Sequence, residues 1–163
     1  MDVKRLAKCS LLTALSLIIF TVEAQIPYPF PIPGIKPGLA NIVTVFAVYT
    51  LSGKEAALIL LSRILIAGLF SGNGMAVIYS LSGGLLCIAG MLILRRVISK
   101  DNMWLTSVFG AVLHNTGQLL AAVMITQTAA VLWYAPFLLL SGCLAGAFTG
   151  AAAQAVVRRM ERK

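Results

Sequence analysis

The sequence predicts an all-α integral membrane protein, six transmembrane helices in one compact bundle, and three observations lead there. Of its 163 residues 60% are hydrophobic and only 11% charged, too little polar surface for a soluble domain of this size. The apolar residues fall into successive runs joined by short connections, and no polar stretch could form a second domain, so residues 1–163 make one unit. The basic residues gather at the ends of those runs. Taking the two termini and the turns at 52–55 and 95–101 as one face collects 11 of the 13 Lys and Arg, leaving Lys36 opposite and Arg63 within an apolar run. Cytoplasmic segments carry such an excess, which puts both termini in the cytoplasm, and the expected location is the cell membrane. The net charge of +8 is then explained by orientation and lipid headgroups, not by nucleic acid.

The first helix is expected over residues 6–22, behind Lys4, Arg5 and Lys8. Val22-Glu-Ala24 resembles a signal cleavage site, but the run is long for a signal and the rest of the chain is itself membrane-spanning, which favours a retained helix. Ala7, Ser10 and Ala14 form a small-residue stripe that lets another helix approach closely, within this chain or from a separate subunit. Residues 23–37 hold five of the six prolines and read as a stiff, extended outer loop, with Tyr28 and Phe30 suited to an interface or a lid.

A second helix over 38–51 is barely long enough to span and carries Asn41 in its first turn. The third, 56–70, contains Arg63, for which ion pairing, snorkelling and ligand binding are the available explanations. The fourth, 75–98, has Tyr79, Ser80, Ser82 and Gly83-Gly84 in its first half. The fifth, 103–125, is about 34 Å long against a hydrocarbon core of about 30 Å. The sixth, 130–157, repeats glycine at 142, 146 and 150, a close-packing face. Cys9, Cys87 and Cys143 stand alone in apolar surroundings and read as packing residues.

Polar groups inside the spans single out candidate functional residues. Gly110-Ala-Val-Leu-His-Asn-Thr-Gly-Gln118 places His114 near the membrane midplane, with Gln118 one turn away on the same face and Asn115 beside them. Such groups are costly in lipid, so this face looks into the bundle, either as interhelical glue or as a site. Counted from the outer helix ends, Gln118 and Arg63 lie about 11–12 Å deep, Tyr79 and Tyr134 about 7–8 Å, and Asn41 about 5 Å. One polar layer beneath the proline-rich loop fits a shallow outer pocket, whereas a channel needs polar groups at every depth.

Catalysis is not expected. There is no GxxxxGK[ST] phosphate loop, so ATP hydrolysis would have to come from elsewhere. The carboxylates Asp2, Glu23, Glu55, Asp101 and Glu161 lie at helix ends or termini, and none make an Asp-rich pair for magnesium and diphosphate. Neither a metal nor another cofactor is implied.

Pro33-Gly-Ile-Lys-Pro-Gly-Leu-Ala-Asn41, Arg63, Ser80-Leu-Ser-Gly-Gly84, the 110–118 stretch and Tyr134-Ala-Pro136 resemble the membrane family labelled heptaprenyl diphosphate synthase component I, also called Gx transporter. That family is in turn similar to the substrate-binding S components of energy-coupling factor (ECF) transporters. The resemblance implies a six-helix binder that captures a scarce solute from outside, beneath a lid between its first two helices. A separate transmembrane subunit and two ATPase subunits would drive uptake. It also implies that the first-helix stripe, matched loosely by Ala7, Ser10 and Ala14, docks on that subunit. The candidate substrate-binding residues are Lys36, Asn41, Arg63, Tyr79, His114, Asn115, Gln118 and Tyr134. Arg63 and Lys36 favour an anionic group, and the aromatic residues a planar or prenyl part, as in a vitamin-like or isoprenoid-related solute. The competing readings are a membrane scaffold for a prenyl diphosphate synthase and a stand-alone channel or facilitator.

Overall fold

The computed structural model describes residues 2–25, 38–72 and 74–162. Among these are six α-helices and no strand: α1 (Val3–Ala24), α2 (Asn41–Thr50), α3 (Gly53–Ser71), α4 (Gly74–Leu94), α5 (Met103–Thr126) and α6 (Ala135–Glu161). Four segments, Val3–Glu23, Gly74–Leu94, Lys100–Thr126 and Ala129–Glu161, are long and apolar enough to cross a membrane. Their outward faces carry large apolar side chains, among them Leu11, Ile18, Ile93, Phe109, Leu140 and Phe148, as a lipid-facing surface requires. The protein is a membrane protein.

α2 is the exception that shapes the bundle. It has 10 residues, not the 14 of the expected 38–51 run, and so covers about 15 Å, half of a hydrocarbon core. It packs against all five other helices, and Val45, Ala47 and Val48 are fully buried. Around it, Cys9 of α1, Ile59 and Leu60 of α3, Cys87 and Met91 of α4, Met103 of α5 and Val157 of α6 close a tight apolar core. This core fills the half of the bundle that holds the chain termini. Cys9 and Cys87 are buried and Cys143 half-buried, all three as free thiols.

Both ends of α2 are fixed by side chains from other elements. At its C-terminal end Arg95 Nη1 donates to the carbonyls of Val48 (2.6 Å) and Leu51 (3.3 Å), placing a cation on groups that have no partner within the helix. Tyr49 reaches Thr106 Oγ1 (2.6 Å) and the Ile98 carbonyl (3.2 Å). These bonds bear on a boundary: α4 ends at Leu94, short of the expected residue 98. The N–H groups of Arg96 and Val97 bond three residues back, a tightened turn that turns Arg95 toward α2.

The turn into α3 is a capping box. Ser52 Oγ accepts from the Glu55 N–H, while the Glu55 carboxylate accepts from the Ser52 N–H, which starts the helix at Gly53. The sixth helix also differs from the expected 130–157: Ala129–Tyr134 is a 3₁₀ segment, and the α-helix begins at Ala135 with Pro136 in its first turn, where proline has no hydrogen bond to lose.

Glycines set the spacing of α4, α5 and α6. A Cβ on Gly117 of α5 would stand 2.7 Å from the Ser82 carbonyl oxygen and 2.8 Å from Gly83 Cα on α4. On α6, a Cβ on Gly146 would meet the Ser107 carbonyl at 2.9 Å and one on Gly150 would meet Trp104 Cα at 2.6 Å, so the expected glycine stripe is the α5–α6 contact. Backbones at that distance cannot yield as side chains do. Gly117→Ala is therefore expected to lower stability in detergent by about 1–3 kcal/mol. Gly74→Ala, where nothing lies within 4 Å, is expected to be near neutral, and equal thermal midpoints for the two variants would show that α4 and α5 separate freely.

Candidate functional site

Because α2 stops half-way, the other half of the bundle has no central helix, and a cavity of about 410 Å³ opens there. All six helices line it: α1 with Phe20 and Glu23, α2 with Asn41, α3 from Arg63 to Gly68, α4 from Met75 to Ser80, α5 with His114, Asn115 and Gln118, and α6 with Gly142 to Thr149. Gly38 and Ala40, just ahead of α2, complete its wall.

Six of the eight residues expected at a binding site meet here: Asn41, Arg63, Tyr79, His114, Asn115 and Gln118. Tyr134 does not. Its 3₁₀ segment leaves it outside the cavity and 44% exposed. Lys36 lies outside the described residues, as does most of the expected proline-rich lid.

Glu23 is the residue that sequence reasoning missed. The 23–37 loop was expected to begin with it, yet α1 continues to Ala24 and carries Glu23 into the bundle, where it is 2% exposed. Its Oε1 accepts the N–H of Gly38 at 2.5 Å. Gly38 has a φ of +69°, a conformation that favours glycine, and this turns its N–H toward α1. A carboxylate at the end of α1 thus lines the cavity that Arg63 also lines. Arg63 is 7% exposed and lines the same cavity as Glu23. The two are not in contact: among the described residues the ion pairs within 4.0 Å are Lys100–Glu161 and Arg158–Asp101, both at the opposite, termini-bearing end.

The α5 cluster divides in role. Asn115 Nδ2 donates to the Leu138 carbonyl at 2.5 Å and packs over Gly142, so it ties α5 to α6 at the cavity wall. His114 Nδ1 is buried with no hydrogen-bond partner among the described residues. A buried polar atom without a partner is costly in a fold, and its position on a cavity wall gives it a use when a polar solute enters. His114 Cε1 and Gln118 Cγ occupy the space that a Cβ on Gly83 would need, so the close α4–α5 approach depends on glycine there.

The cavity wall carries groups suited to holding a small polar solute. Among the described residues no three His, Cys, Asp or Glu side chains converge as they would on a metal ion. Arg63 offers a planar fork of donors, His114 Nδ1 and Asn41 further polar contacts, and Phe20, Ile64 and Tyr79 an apolar wall. Few polar groups within a mostly apolar concavity is the ordinary make-up of a small-molecule site.

The family described as Heptaprenyl diphosphate synthase component I matches residues 12–156, nearly the whole chain. The chain belongs to this family. Comparison with curated proteins and with solved structures gave no match. The matched region takes in every described residue of the cavity wall.

The split within the α5 cluster is testable. Asn115→Ala is expected to cost about 0.5–1.5 kcal/mol of stability in a detergent unfolding titration, the value of a lost interhelical hydrogen bond. Unchanged stability would mean that Asn115 is not a tie between α5 and α6.

Proposed function

We propose that this membrane protein is the solute-binding component of an ECF-type uptake system. In this reading all six helices are membrane segments, both termini are cytoplasmic and the cavity opens outward. The observation that carries it is the cavity itself. Charged and polar side chains from separate helices converge in the half of the bundle away from the basic face, among them His114, whose Nδ1 has no partner among the described residues, while the other half is filled by apolar packing. A cavity open at one end and closed at the other suits capture, not free conduction.

Size favours a compact, vitamin-like solute. At about 410 Å³ the cavity lies within the ordinary range of small-molecule sites. With no phosphate loop in the sequence, energy would come from partner ATPases through a transmembrane subunit. Ala7, Ser10 and Ala14 support such docking: all three are exposed on the outer face of α1 and are not used in packing this chain. The family description favours a second reading, a membrane component attached to a prenyl diphosphate synthase. There the cavity would be incidental to assembly.

Purification from native membranes separates the two. The uptake reading expects ATPase subunits and a second membrane subunit to co-purify with the chain, and Ala14→Trp to abolish that association while solute binding persists. A soluble prenyltransferase as the retained partner, undisturbed by Ala14→Trp, would instead support the synthase reading.

A further inference from the structure

Resting on the solute-binding reading, we infer that the cavity takes a small dipolar solute, one bearing a cationic or amino group and an acidic group, held between Glu23 and Arg63. Both residues are almost completely buried, both line the cavity, and they are not in contact with each other. A charge removed from water needs a partner, and two opposite charges in one small cavity ordinarily collapse onto each other. Here no nitrogen of Arg63 comes within 4.0 Å of a Glu23 carboxylate oxygen. Glu23 is held on the α1 side, with Oε1 committed to the Gly38 N–H, while Arg63 projects from α3.

This separation sets the charge balance of the cavity. Arg63 alone would make it cationic and select an anion. With Glu23 facing the same space the two formal charges cancel, so a simple anion gains Arg63 but is repelled by Glu23, and a simple cation meets the reverse. Only a ligand with separated charges of both signs, oriented along the Glu23–Arg63 direction, partners each without leaving the other exposed to a like charge. His114 Nδ1, buried on α5 with no partner among the described residues, supplies a further polar contact on the cavity wall. The like-charge penalty makes this a rule of exclusion as well as of binding.

The test uses the full chain in nanodiscs and a series of ω-amino carboxylates of increasing chain length, each compared with the carboxylate lacking the amine and the amine lacking the carboxylate. At least one amino carboxylate is expected to raise the thermal midpoint where its two half-ligands do not. Its affinity should fall about tenfold or more in both Glu23→Gln and Arg63→Gln, the loss of one charged hydrogen bond in each. Each variant is first shown to elute as a monodisperse species. Glu23→Gln and Arg63→Gln should also differ from each other: the first is expected to gain affinity for the plain carboxylate, as the repelling charge is gone, and this cannot arise from misfolding. Equal stabilisation by the plain carboxylate in the unaltered chain, or no response to any member of the series, overturns the inference. A carboxylate-only response leaves the solute-binding reading standing, so the two fail separately.

Discussion

A helix too short to cross the membrane organises this protein. α2 spans about half of the hydrocarbon thickness, yet it lies at the centre of the bundle and touches every other helix. Where α2 is present the interior is a close-packed apolar core, and where it is absent there is a cavity. The same constraint explains the side chains at its two ends. Helix termini leave N–H and C=O groups without partners, and a terminus buried in a bundle cannot leave them to water. Arg95 satisfies the carbonyls at one end, and at the other the turn ahead of α2 is tied to Glu23 through Gly38. Arg95 sits on the basic face, so a residue that reads as a headgroup contact is also a structural clamp.

The surrounding helices are arranged to hold that half-filled interior open. α4, α5 and α6 approach so closely at Gly83–Gly117 and along Gly146 and Gly150 that a Cβ there would run into the neighbouring backbone. A rigid three-helix wall results, and His114, Asn115 and Gln118 stand on it at fixed positions. α1 joins the segment ahead of α2 through Ser16, which donates to the Ala40 carbonyl, and Glu23, which accepts from the Gly38 N–H.

Much of this was legible in the sequence, for physical reasons that also explain the failures. Asn41, Arg63, Tyr79, His114, Asn115 and Gln118 were found because polar groups within apolar runs are costly in lipid, and a rise of about 1.5 Å per residue converts position into depth. The glycine stripe on α6 declared its own packing. Depth counting failed for Tyr134, because the 3₁₀ segment Ala129–Tyr134 has a different rise and rotation from the α-helix assumed for it. It failed for α2 because an apolar run fixes only the greatest length of a helix, while its true start depends on a turn made by Gly38. Glu23 was hidden by its address. A carboxylate at the edge of a span resembles an ordinary boundary residue, and only the bundle reveals that this edge is turned inward against the cavity.

The claim that the space above α2 is a solute site, and not merely an assembly gap, is tested most directly by what the protein carries when isolated. Gently purified chain, extracted with organic solvent and analysed by mass spectrometry in both ion modes, is expected to release a compact solute with acidic and basic groups in near-stoichiometric amount. The same preparation of Arg63→Gln is expected to release none. Release of nothing but membrane lipid or a long prenyl chain from both proteins would contradict the account.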